Sequence, residues 1–74
     1  MNSRILQSLM AFNAQQINAA QCFYISYKDI LKDFRECGKS DDSAYARYKK
    51  AAEKELKKLH LLERNQKSLI QELR

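Results

Sequence analysis

Residues 36–43, ECGKSDDS, contain the only glycine of this 74-residue chain. Gly38 followed by Lys39 and Ser40 matches the end of a phosphate-binding loop, G-x-x-x-x-G-K-[ST], whose glycines let backbone N–H groups turn toward phosphate. Asp33 stands where that motif requires its first glycine. The residues before Gly38 have a helical pattern, whereas the motif requires a strand there. The spacing therefore argues against a nucleotide site.

The same stretch is typical of a turn between two helices. Gly38 can adopt the left-handed conformation that follows a helix C-terminus. Asp41, Asp42 and Ser43 are residue types that cap helix N-termini. The sequence predicts helix 1 over about residues 3–37, a turn over 38–42 and helix 2 over about 43–73.

The composition predicts a single all-α domain over residues 1–74. The chain has no proline and is rich in helix-forming residues. Cys22 and Cys37 would lie about 22 Å apart on one helix, too far for a disulfide. We therefore expect a cytoplasmic protein, or one in the host-cell cytoplasm if a phage encodes it. Residues 5–27 carry no charge but contain too many amides for a membrane span or signal peptide.

Apolar residues recur every three or four positions in both halves of the chain, which predicts two long antiparallel helices forming a helical hairpin or coiled coil. The predicted seam of helix 1 comprises Ile5, Leu9, Phe12, Gln16, Ala20, Phe23, Tyr27, Ile30, Phe34 and Cys37. A second apolar row beside it comprises Leu6, Met10, Ile17, Tyr24 and Leu31. The predicted seam of helix 2 comprises Tyr45, Tyr48, Ala52, Glu55, Leu59, Leu62, Gln66, Leu69 and Leu73.

Folding at the turn should pair residues whose numbers sum to about 82. Phe34 would then face Tyr48. Gln16 would meet Gln66, and Tyr27 would meet Glu55, so that buried polar groups find partners. Alternatively, Glu55 turns to solvent and Leu56 fills the seam. Because one hairpin cannot cover both apolar rows of helix 1, we expect a homodimer forming a four-helix bundle, or burial against a different protein.

Two outer surfaces are candidate binding sites. The basic face of helix 2, which accounts for most of the net charge of +5, could bind nucleic acid or simply be solvated; it comprises Arg47, Lys50, Lys54, Lys57 and Arg64. The uncharged face of helix 1 resembles the centre of a protein interface, or is a tolerant amide-rich surface; it comprises Gln7, Gln15, Asn18, Gln21, Cys22 and Ile25.

Catalytic chemistry has little support in the sequence. His60 is the only histidine, and no spacing of ligand residues organises a metal. Cys22 would lie level with His60 but points away from the seam. We expect no catalytic residue, metal or cofactor. The sequence predicts a non-enzymatic protein-interaction module that acts as an adaptor, inhibitor or regulator, with nucleic-acid binding as the alternative function.

Overall fold

The computed structural model describes residues 2–73 and consists of two antiparallel helices, which confirms the all-helical hairpin. Helix α1 spans Ser3–Glu36 and helix α2 spans Ser43–Leu73. The hairpin is a rod measuring 53 × 14 × 14 Å. Across residues 2–73, neither helix combines the length and the hydropathy that crossing a bilayer requires.

Helix α1 starts at a side-chain cap and stops at the glycine. The Asn2 carboxamide oxygen accepts a hydrogen bond from the Arg4 N–H at 2.8 Å. At the other end, the Lys39 N–H donates to the Phe34 carbonyl at 2.8 Å, and the Gly38 N–H donates to the Arg35 carbonyl at 3.1 Å. This pair of bonds is the Schellman motif. Gly38 has φ +70°, as predicted for a residue that ends a helix in the left-handed region.

Asp42 caps helix α2 and directly precedes its first residue, Ser43. The Asp42 side chain accepts a hydrogen bond from the Ala44 N–H at 2.8 Å, so it is the N-cap among the three candidates. The Asp42 N–H donates to the Lys39 carbonyl at 3.1 Å, which closes the turn. Local hydrogen bonds therefore account for both the end of α1 and the start of α2.

The predicted seam of α1 is confirmed at Ala20, Tyr27 and Phe34. It is wrong at many other positions, because the neighbouring row faces α2 there. Ile5, Leu9, Phe12 and Phe23 are exposed, and Cys37 is exposed rather than part of the core. The row that contacts α2 comprises Leu6, Met10, Asn13, Ile17, Ala20, Tyr24, Tyr27, Leu31 and Phe34. Both rows repeat every seven residues, so periodicity alone could not decide which one the hairpin buries.

The seam of α2 agrees better with the prediction. Ala52 and Leu59 are buried, and most other predicted positions are half-buried. Tyr48 and Leu73 are the exceptions, since both are classed as exposed. Tyr48 nevertheless contacts Phe34, with ring centroids 6.1 Å apart, which confirms that predicted pair.

The polar layer of the hairpin differs from the predicted one. Asn13, only 9% exposed, donates from Nδ2 to the Gln66 side-chain oxygen at 3.0 Å and to the Leu62 carbonyl at 2.9 Å. Gln66 in turn donates from Nε2 to the Met10 carbonyl at 3.2 Å. The partner of Gln66 is therefore Asn13 and not Gln16, because the buried row of α1 contains Asn13.

The register follows from these contacts. The residue numbers of contacting pairs sum to 75 for Tyr27 with Tyr48, to 79 for Asn13 with Gln66 and for Phe34 with Tyr45, and to 82 for Phe34 with Tyr48. The contacts therefore centre on a sum of about 79 and still include the predicted sum of 82 near the turn. Within residues 2–73, no hydrogen bond joins Tyr27 to Glu55, and the Glu55 Oε2 atom is buried without a hydrogen-bond partner. The predicted Tyr27–Glu55 pair is therefore not formed.

Candidate interaction surfaces

The uncharged face of α1 lies on the outer side and one flank of the helix. All six of its residues are exposed. Ile25 is the most exposed apolar member, at 61%, and Cys22 beside it is a free thiol. These two residues are one helical turn apart, so they form one patch among amide side chains. The structure brings these sequence-predicted residues together on an accessible surface.

The basic face of α2 is equally accessible. Arg47, Lys50, Lys54, Lys57 and Arg64 are all exposed. Arg47 and Arg64 also line grooves that include Tyr27 and Ile17 of α1, respectively. Lys49, Lys58 and Lys67, on the two flanks, are exposed as well. Two aromatic side chains, Tyr27 and Tyr48, line a groove with Arg47 at one end of this face. The arrangement is a ridge of positive charge along the outside of the rod, with aromatic side chains beside its first cation only.

A third surface emerges from the structure, and we call it the apolar stripe. It runs along one flank of α1 and comprises Ile5, Leu9, Phe12, Gln16, Ala19, Phe23, Ser26 and Ile30. Phe12 is 61% exposed and Phe23 is 56% exposed. Most of these residues belong to the row that the sequence assigned to the interior. The signal was therefore present in the sequence as one of two apolar rows, but its exposure was not predicted.

The two flanks of the hairpin differ in chemistry. On the flank of the apolar stripe, a shallow groove brings Leu9 together with Asn65, Ser68 and Leu69 of α2. Leu61 is on the same flank of α2 and is 53% exposed. Grooves on the opposite flank combine apolar side chains such as Ile17 and Ile70 with charged and polar ones, including Lys28, Arg35, Lys49, Glu53, His60, Glu63 and Lys67. Most of the strongly exposed apolar side chains, namely Ile5, Leu9, Phe12, Phe23 and Leu61, therefore share the flank of the stripe, whereas Ile25 and Ile70 lie elsewhere.

The chemical groups that could support catalysis are separated. Cys22 is on the outer side of α1, whereas His60 lines the charged groove beside Glu63 and Arg64. Across residues 2–73, no three side chains of His, Cys, Asp or Glu are grouped so that they could hold a metal ion. No protein-family model matches the sequence, and no curated protein or solved structure is significantly similar to it.

Proposed function

We propose that this protein is a non-enzymatic protein-interaction module that acts by docking a helix surface on a partner protein. The observation that carries the proposal is the large apolar surface that the hairpin leaves uncovered. Phe12, Phe23 and Ile25 are each more than half exposed along a helix segment that carries no charge. Exposed aromatic and aliphatic side chains with few charges among them are typical of the centre of an interface.

The proposal includes self-association into a homodimer with the form of a four-helix bundle. A two-helix hairpin has one internal contact face, so apolar side chains on its flanks stay wet unless another chain covers them. The proposal also places the protein in a reducing, cytoplasmic setting, since Cys22 and Cys37 are both free and exposed.

The docking surface proposed for a different protein is the uncharged face of α1. Ile25 and Cys22 would contribute the apolar centre, and the surrounding amides would contribute hydrogen bonds that need no charge to be desolvated. The proposed mode of action is to occlude or bridge a surface of that partner, as an adaptor, inhibitor or regulator. The proposal assigns no catalytic residue, metal or cofactor.

The basic face of α2 supports an alternative function, which is nucleic-acid binding. Its five cations follow one side of the helix and are all accessible. If all five neutralise phosphates of duplex DNA, the logarithm of the binding constant should fall with the logarithm of salt concentration with a slope of about −4.5.

Two matched variants separate these functions. Lys50→Glu/Lys54→Glu/Lys57→Glu should abolish binding to a duplex DNA fragment if the basic face is the functional surface, and should leave a protein complex intact. Cys22→Arg/Ile25→Arg should disrupt capture of a protein partner from nuclease-treated lysate, because it forces two charges into a desolvated contact. Both variants should retain the helical circular dichroism of the wild type.

A control variant tests whether added charge alone is responsible. Ala46→Arg/Glu53→Gln adds the same two units of positive charge at exposed positions outside the uncharged face. We expect it to capture the partner as the wild type does. Loss of duplex DNA binding in the triple lysine variant, with normal protein capture by Cys22→Arg/Ile25→Arg, would overturn the proposal in favour of the alternative.

A further inference from the structure

We infer that the apolar stripe of α1 is the surface that binds a second copy of this chain, with the two α1 helices antiparallel and residue i opposite residue 35 − i. This inference rests on the self-association proposed above and names its surface and alignment. The second copy is favoured over other occupants because the stripe is complementary to itself when its direction is reversed.

The stripe lies beside the row of α1 that contacts α2. Each stripe residue directly precedes a residue of the row that contacts α2, as Ile5 precedes Leu6 and Ala19 precedes Ala20. One residue corresponds to a rotation of about 100° around an α-helix. A helix in a square four-helix bundle contacts two neighbours about 90° apart. The stripe is therefore where a second neighbour of α1 would lie.

The order of the side chains along the stripe also favours pairing with a second copy. When residues whose numbers sum to 35 lie opposite each other, Phe12 faces Phe23 of the second copy. Gln16 is then opposite the small side chain of Ala19, and every layer occurs twice by symmetry. The remaining layers are Ile5 with Ile30 and Leu9 with Ser26.

The spacing of this alignment is the one that antiparallel helices need. Stripe positions step alternately by four and three residues, so they form two series that each repeat every seven residues. Each layer pairs a residue of one series with a residue of the other. Ala19 and Gln16 flank the two-fold axis, where a small side chain lets the helices approach closely. A two-fold interface requires the same patch to fit itself, and this stripe meets that requirement from end to end.

The surface area of the hairpin also favours a second copy. The accessible surface of the chain is 5843 Å². A compact monomer of this mass, 8.7 kDa, should expose only about 4,700 Å². The difference, about 1,100 Å², exceeds the roughly 800 Å² that each partner buries in a standard-size interface. The free hairpin therefore has enough surplus surface for one interface of that size, and pairing through the stripe would leave the uncharged face accessible.

Charge at the ends of the stripe is compatible with this alignment. The stripe itself contains no charged side chain, and the next position along it is Asp33. In the antiparallel alignment Asp33 lies level with Asn2, the N-cap of α1 in the second copy. A carboxylate is favoured there, because the first turn of a helix has free N–H groups and the positive end of the helix dipole.

The first test places a charge at the two-fold axis. We expect Ala19→Glu to weaken dimerisation by about 100-fold or more in sedimentation equilibrium, because two carboxylates would be buried close together. Ala11→Glu is the matched control, since Ala11 is an exposed alanine of the same helix outside the stripe. Circular dichroism checks that both variants remain helical. Equal dimerisation of the two variants would overturn the inference.

The second test measures the alignment and does not depend on loss of binding. In a Cys22→Ser/Cys37→Ser background, Leu9→Cys chains and Ser26→Cys chains are refolded separately and as a mixture, then oxidised. The antiparallel alignment puts two copies of the same cysteine about 25 Å apart but places Cys of one chain beside Cys of the other in the mixture. We expect disulfide-linked dimers only from the mixture. Efficient linkage of either variant alone would overturn the alignment.

The outcomes distinguish this inference from the proposed function. A wild type that stays monomeric in the micromolar range would overturn the self-association and the stripe assignment together, while partner capture through the uncharged face could still be observed. A dimer that tolerates Ala19→Glu but dissociates in Cys22→Arg/Ile25→Arg would overturn the stripe assignment alone. A dimer lost with Ala19→Glu, with partner capture retained, supports the stripe as the surface for the second copy.

Discussion

Replacing Asn13 by alanine tests the polar layer that sets the register of the hairpin. The substitution removes the hydrogen bonds from Asn13 to Gln66 and to the Leu62 carbonyl. Each contributes about 1 kcal/mol net, and the Gln66 side-chain oxygen is left part-buried without its donor. We therefore expect Asn13→Ala to lower the free energy of unfolding by about 2–3 kcal/mol. The exposed Asn18→Ala is the matched control and should change it by less than about 0.5 kcal/mol.

Urea unfolding followed by far-ultraviolet circular dichroism measures this difference, at one fixed protein concentration because association adds to apparent stability. If Asn13→Ala and Asn18→Ala differ by less than about 0.5 kcal/mol, the hydrogen bonds contribute nothing net and the reasoning is refuted. The double variant Asn13→Leu/Gln66→Leu extends the test. Because both partners become apolar together, its stability should equal or exceed that of the wild type, while the register becomes less well defined.

The same unfolding assay tests three further positions. Gly38→Ala should cost about 1–2 kcal/mol, because φ is +70° while an added Cβ meets no atom within 4 Å, so the cost is backbone strain alone; a change near zero would contradict this. Leu31→Ala, at a side chain 3% exposed, should cost about 2–4 kcal/mol and much more than Leu61→Ala, and similar costs would argue against the buried row. Asp42→Ala should cost about 1 kcal/mol through loss of the N-cap, whereas Asp41→Ala should be nearly neutral; the reverse order would move the cap to Asp41.

The helix boundaries could be predicted because local interactions determine them. Gly38 ends α1 through its own backbone conformation, and Asp42 starts α2 through a hydrogen bond two residues along the chain. The observed end of α1, Glu36, is one residue from the prediction. The exposed uncharged and basic faces were also predictable, because long polar and charged side chains on a helix seldom lie in a seam.

The choice of seam could not be predicted from periodicity. The rows that contain Phe12 and Ile17 are both apolar and repeat alike, about 100° apart around α1. The sequence contains Asn13 and Gln16 as two possible partners for Gln66, and either would satisfy its amide. Contact between the helices selected Asn13, three residues from the predicted partner Gln16, and left Phe12 and Phe23 exposed.

The sequence by itself therefore determined that the chain forms two helices, where each begins and ends, and which residues carry its positive charge. These properties follow from capping, glycine conformation and helical periodicity, all of which act over a few neighbouring residues. The tertiary structure alone decided which apolar row of α1 is buried. That choice depends on hydrogen bonds from Asn13 to Leu62 and Gln66, which lie 49 and 53 residues further along the chain. It thereby also decided which side chains are left for another molecule to cover.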